Sequence, residues 1–209
     1  MTFDRRRNRT LTCLLAVAIL LPGCVAVSRP APRKMMFVPR VGRTGGLRPR
    51  ATDSTLAIAP VRAAALARTR ALLYRTGERA FVADYYNELH VEPAELMGEL
   101  ARDWLAASGL FGGVVALGDR ASGDLVLEGR LLGLYGDYTA TGVHHAVCEA
   151  EFTLLRHGRP AADVLLQRRY AARAQCPTLG ADGLVAAMEG ALARVLTDLE
   201  ADLAEALGG

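Results

Sequence analysis

Four cysteines carry most of the chemistry that this 209-residue sequence could do. Cys24 follows Leu21-Pro22-Gly23 at the end of a basic and then apolar N-terminus, where a thiol is a site for covalent lipid. Cys13 lies inside the apolar run, with Thr12 before it, and is the poorer lipid site. Cys148 and Cys176 remain as candidates for a disulfide, which needs Cα atoms within about 7 Å. His144-His145 with Cys148 is the nearest approach to a metal set. On a strand, however, adjacent histidines point to opposite faces, and His144 and Cys148 would lie about 13 Å apart, too far for one zinc. No metal is assigned. The sequence lacks G-x-S-x-G, a phosphate loop, H-E-x-x-H and paired C-x-x-C, and its carboxylates are spread along solvated faces. A binding protein rather than an enzyme is expected. The densest unusual stretch is Tyr74-Arg75 followed by Asp84-Tyr85-Tyr86-Asn87-Glu88. Adjacent tyrosines on a regular strand would face both ways, one toward the core. Edge-strand packing accounts for such residues, and so does a contact with a partner or a second subunit, where Tyr is enriched.

The N-terminus has the order of an export signal. Arg5, Arg6, Arg7 and Arg9 precede an apolar run from Leu11 to Leu21. That run is too short to span a bilayer as a helix and suits a secretory h-region. Leu21-Pro22-Gly23-Cys24 resembles a bacterial lipobox, in which the cysteine becomes the lipidated first residue of the mature chain. Leu21 and Gly23 fit that pattern, and Pro22 is its less usual member. Arg6-Arg7 lacks the context of a twin-arginine signal. The expected group on Cys24 is N-acyl and S-diacylglycerol lipid, with no other cofactor. Each buried acyl CH₂ contributes roughly 0.8 kcal/mol, so several chains hold stably where one does not. Val25, not Asp, follows the cysteine, which favours the outer membrane, with the protein facing the periplasm.

Charge divides the remainder. Residues 1–23 hold four Arg and one Asp, and without them the formal charge falls from +3 to zero. The apparent basicity is therefore no argument for nucleic acid as a partner. Residues 25–52 carry seven basic side chains and no acid, whereas residues 53–209 carry 14 basic and 21 acidic ones. With Pro30, Pro32, Pro39, Pro49 and Gly45-Gly46, the basic stretch reads as a tether over 24–53, enclosing a short strand from Met35 to Val38. A flexible tether of that length would span roughly 30 Å and could rest on anionic headgroups. The folded domain is expected over 54–209.

Within that domain, Thr55 to Val61 reads as a strand, and Ala71 to Tyr74 with Ala80 to Asp84 as a hairpin around Thr76-Gly77-Glu78. Pro93 opens a helix with an apolar stripe of Leu96, Met97, Leu100, Trp104 and Ala107, which Ser108-Gly109 closes. Strands follow at Val114 to Leu117, Leu125 to Tyr135, His144 to Arg156 and Val164 to Ala172. The third alternates, with Ala146, Cys148, Ala150, Phe152 and Leu154 on one face. His157-Gly158-Arg159-Pro160 is its turn. The last helix, from about Asp182 to Leu207, places Val185, Met188, Leu192, Val195, Leu199 and Leu203 inside and Glu189, Arg194, Asp198, Glu200 and Asp202 outside. Its length suggests an overhanging tail. Two helices with one apolar stripe each need one covering surface. The expected fold is α+β: a mixed, mostly antiparallel sheet with two amphipathic helices packed on one face.

These elements also carry a family resemblance. Leu56-Ala57-Ile58-Ala59-Pro60-Val61, Leu73-Tyr74-Arg75, Asp84-Tyr85-Tyr86-Asn87-Glu88, Pro93-Ala94 and Trp104-Leu105 come first. Ser108-Gly109-Leu110-Phe111, Leu127-Glu128-Gly129 and Leu134-Tyr135-Gly136-Asp137 follow in order. Together they resemble the ABC-type transport auxiliary lipoproteins, the outer-membrane group that includes the Pqi type. The resemblance implies a non-enzymatic component of an envelope lipid-transport system, docking its partners at the outer membrane. Those partners would be a mammalian-cell-entry (MCE) domain protein with its ABC permease and ATPase. The long basic tether, Pro22, Cys148 and Cys176 depart from the family pattern. The same features also fit an assembly or chaperone lipoprotein of another cell-envelope machine. In either role Tyr74, Arg75, Asp84, Tyr85, Tyr86 and Asn87 form the candidate partner interface.

Overall fold

The long strand β7 (Leu125–Asp137) organises the sheet. The computed structural model describes residues 33–118, 123–157 and 163–208. Cys24 and the expected turn at Gly158-Arg159-Pro160 lie outside these residues. The chain order is β1 (Met35–Phe37), β2 (Thr55–Ile58), β3 (Arg62–Leu66), β4 (Ala71–Arg75), β5 (Phe81–Leu89) and α1 (Pro93–Ser108). After these come β6 (Gly113–Ala116), β7, β8 (His145–Arg156), β9 (Asp163–Gln175) and α2 (Ala181–Gly208).

One edge of β7 pairs antiparallel with β8, which pairs antiparallel with β9. Along its other edge run β2, β3 and β4 in succession, all parallel to it. Residues 55–75 are thus one interrupted strand. The run expected as a single strand to Val61 breaks at Pro60, which has no N–H to give to a ladder, and resumes at Arg62. From β2 the sheet extends to β6, and from β4 through the antiparallel β5 to β1. The parallel ladders are short and the β7–β8–β9 ladders long, so the sheet is mixed and mostly antiparallel.

Both helices cover one face. Helix α1 begins with Pro at its first positions and ends at Gly109, whose φ of 80° is the left-handed cap a glycine takes without strain. It buries Leu96, Met97, Ala101, Trp104 and Leu105. Ala107 of the expected stripe is exposed instead. Helix α2 has 28 residues, so it is about 42 Å long. Strand β9 has 13, and is about 43 Å long. The helix runs back along that strand, with Tyr170 bonded to Asp202 and Gly190 over Ala174. Because the lengths match, no tail overhangs: Ala204 and Leu207 pack against the core. That core joins Leu56, Leu127, Leu131 and Phe152 of the sheet to Trp104, Met188, Leu192 and Leu199 of the helices.

The domain boundary differs from the one composition suggests. The folded body begins at Lys34, not at residue 54. Strand β1 pairs with β5, and the chain then crosses the helices. The Arg40 N–H donates to Glu189 Oε1 at 2.7 Å, and those of Arg48 and Ala51 donate to the carbonyls of Ser108 and Leu110. Its positive charges meet the body's negative ones: Lys34 pairs with Glu88, and Arg43 and Arg48 with Glu200. Residues 34–53 are a strap rather than a tether.

Candidate functional site: a tyrosine-bearing sheet edge

The β4–β5 hairpin begins regularly, with Arg75 opposite Phe81, Tyr74 opposite Val82 and Leu73 opposite Ala83. The next registered pair is Ala71 with Glu88, so β5 carries extra residues there and bulges over 84–87. Asp84 staples the bulge. Its Oδ1 accepts the backbone N–H groups of Tyr86 at 2.9 Å and Asn87 at 3.0 Å. Its Oδ2 accepts the Asn87 side-chain amide at 2.9 Å and the Tyr74 hydroxyl at 3.1 Å. A short acceptor side chain that bonds backbone two residues on is the usual way to hold such a turn. Burial pushes the Asp84 carboxyl up, but these donors outweigh it and hold it below the usual carboxylate range. Burial, with the Asp84 charge beside it, raises the Tyr74 hydroxyl well above its ordinary value, so it stays a donor.

The bulge sets the direction of the tyrosine pair. Strict alternation would turn one ring inward; instead Tyr85 is 80% exposed and Tyr86 41%. Their rings meet edge to face with centroids 5.0 Å apart. Of the expected interface residues, Tyr85 and Tyr86 are the presented ones, and Tyr74, Asp84 and Asn87 position them. Arg75 donates to the carbonyls of Gly77 and Glu78 and braces the hairpin turn.

Strand β1 adds further residues to this edge. It covers β5 only from Asn87 to Leu89. Lys34 closes the pairing on buried Glu88 at 2.7 Å, and Arg70 reaches the same carboxylate at 3.4 Å. The Lys34 hydrogen bond holds that carboxyl below its usual range. Met35, Met36 and Val82 are each at least half exposed on these two strands, which makes the edge apolar as well as aromatic. A methionine pair beside a basic residue gives no signal in sequence; only the β1–β5 pairing brings it to the tyrosines.

The other candidate residues do not assemble. Cys148 and Cys176 are both free, so the candidate bond between them is not formed. Cys148 pairs with Ala172 in the β8–β9 register, and Cys176 sits four residues further on. That is about 13 Å along the strand, beyond the reach of a disulfide. Burial pushes the Cys148 thiol up to about 12. His144 stacks flat on Tyr138, with centroids 4.0 Å apart. Among the described residues, no three His, Cys, Asp or Glu side chains come together as a metal site. No described helix is long and apolar enough to cross a membrane.

One buried cluster sits where helical spacing predicts surface. Glu200, expected outside, is 3% exposed. It accepts from Arg43 at 2.7 and 2.9 Å, from Arg48, and from Trp104 Nε1 at 2.7 Å. Burial pushes its carboxyl up, and these donors bring it below its ordinary value. The strap, α1 and α2 thus share one carboxylate. This cluster holds the fold together and leaves no oxygen directed at a ligand.

Known proteins share the fold at low identity. No protein-family model matches the sequence, and no curated protein does. Protein XCC0632 from Xanthomonas campestris, of family DUF330, superposes with a TM-score of 0.72. The match has 17% identity and covers 82% of this chain and 96% of that one. The hypothetical protein CT253 from Chlamydia trachomatis gives 0.52 at 11% identity, over 74% of this chain and 98% of that one. A PelC dodecamer from Paraburkholderia phytofirmans gives 0.42 at 15% identity, over 78% of this chain and 96% of that one. At these identities the first two likenesses are of fold.

Proposed function

We propose that this chain is a lipid-anchored, non-catalytic accessory protein of a cell-envelope machine, held through Cys24 and docking a partner at its tyrosine edge. The observation that carries this reading is the Asp84-stapled bulge. It holds two adjacent tyrosines outward, beside Val82, Met35 and Met36, at an outer part of the sheet. Exposed aromatics beside methionines are the composition of a protein contact. The lipobox supports attachment to the outer membrane, facing the periplasm.

Two machines fit this role. One is an ABC/MCE-type lipid-transport system, with an MCE-domain protein and its permease and ATPase as partners. The ordered motifs from Leu56 to Asp137 point to it. The other is an assembly or chaperone role in a different envelope machine, which the same fold and edge serve equally. A photo-crosslinker at Tyr86 separates them. Capture of an MCE protein supports the first, and capture of a barrel or a cell-wall synthase supports the second. Cys24→Ala is expected to release the protein from the outer membrane and weaken the phenotype. Full function of a soluble periplasmic form, with no crosslink at Tyr86, overturns both.

A further inference from the structure

We infer that the groove between α1 and the ends of β2 and β6 seats a partner peptide whose bulky apolar side chains are flanked by Lys or Arg. The groove has a volume of about 350 Å³ and an apolar floor of Pro60, Val61, Ala63, Ala94 and Gly98. Leu117, 47% exposed, forms a wall beyond β6. This is room for a pair of side chains in an open cleft, not an enclosed small-molecule cavity.

Gly98 gives the groove its depth. Glycine inside a helix is a poor helix former. Close packing does not require it here, because a Cβ would meet only Val61 Cγ2, at an ordinary 3.5 Å. The missing side chain leaves the floor open beside Val61.

The rim selects charge. Glu92, Glu95 and Glu99 border the groove, are exposed, and follow one face at helical spacing. None of the three has an ion-pair partner among the described residues, and Arg102, which also borders the groove, is paired with Asp103 at 3.5 Å. This rim attracts a cationic segment and repels the phosphate of an anionic lipid. The site is separate from the tyrosine edge, since β1 and β6 stand at opposite ends of the strand order β1-β5-β4-β7-β2-β6. It does not rest on the partner proposed there.

A short fluorescent peptide alternating Lys and Leu, titrated with the full chain in zwitterionic detergent and followed by anisotropy, tests this. Saturable binding is expected, with no binding of the corresponding Glu–Leu or Lys–Ser peptides. Gly98→Leu, which fills the groove, is expected to weaken binding by about tenfold or more. Glu95→Lys with Glu99→Lys changes only exposed side chains, so the fold is retained, and is expected to weaken binding by roughly tenfold while removing its salt dependence. Equal affinity in the double variant, or Glu–Leu binding as tight as Lys–Leu, overturns the proposal. So does a Gly98→Leu protein that loses a fluorescent phosphatidylcholine but keeps the peptide, because the groove then holds a lipid tail.

Discussion

Glu200 is where single-residue chemistry matters most to this molecule. Its carboxylate is 3% exposed and shared by Arg43, Arg48 and Trp104. Removing one partner of a buried ion pair leaves the other charge unpaired, which costs about 3–5 kcal/mol. Glu200→Ala is therefore expected to lower unfolding free energy by that order in urea titrations, and Glu200→Gln by less, because an acceptor remains. The pH dependence has a definite sign. The folded carboxyl sits below its ordinary value of 4.5, so its stabilisation is complete above that value and is lost as pH falls through the lower, folded one. Wild type should lose stability on acidification below about pH 4.5 more steeply than Glu200→Gln. Equal slopes in the two proteins would contradict the pairing. Cys148 makes the opposite case: inward-facing, 0% exposed, and with a raised thiol, it behaves as a small apolar side chain, and Cys148→Ala should leave alkylation of the folded chain unchanged.

At the scale of elements, the tyrosine edge separates presentation from support. Asp84→Ala removes the acceptor for two backbone N–H groups, the Asn87 amide and the Tyr74 hydroxyl. These groups are exposed or part-buried, so water takes up some of what is lost, and the cost is about 0.5–1.5 kcal/mol. Tyr85→Ala touches only an exposed ring and should fall within about 0.5 kcal/mol of wild type. Both variants should lose the Tyr86 crosslink, but only Asp84→Ala should also shift the denaturation midpoint. Equal midpoints would mean that the bulge holds without its staple. This division marks what sequence could and could not reveal. Helix α1 was legible because Pro93, the apolar spacing and Gly109 are all local, and β8 because its alternation runs unbroken from Ala146 to Leu154. The hairpin was legible from Thr76-Gly77-Glu78. The bulge was not, because two tyrosines in a row read as alternating until the jump from Ala83 to Glu88 in the register is known. Glu200 fits a polar position on a helical wheel. Its burial depends on arginines 152 and 157 residues away, on a segment whose prolines and glycines look like linker.

At the scale of the whole molecule, the opposite charges of the strap and the body decide where the domain begins. Read as composition, seven positive charges ahead of an acidic domain suggest a solvated tether. In the fold, three of them, Lys34, Arg43 and Arg48, form ion pairs with Glu88 and Glu200 of the body. A chain beginning at Lys34 retains β1, the cover over β5 and every described donor to Glu200. It should unfold in one cooperative transition. A chain beginning at residue 54 keeps only Trp104 as a described donor to Glu200, and exposes the β5 edge from Asn87 to Leu89. Removing the strap also uncovers Glu200 to water. The loss therefore comes from its two arginine pairs and from Phe37, Val41 and Ala51, which pack against the core. It is set against the roughly 5–15 kcal/mol that folds a typical domain. The shorter chain should melt at a lower temperature, bind a hydrophobic dye and self-associate through its uncovered strand. If both chains melt together, the strap is an ornament on a domain that begins at residue 54. If only the longer one is stable, the basic strap is part of the body that presents the tyrosine edge.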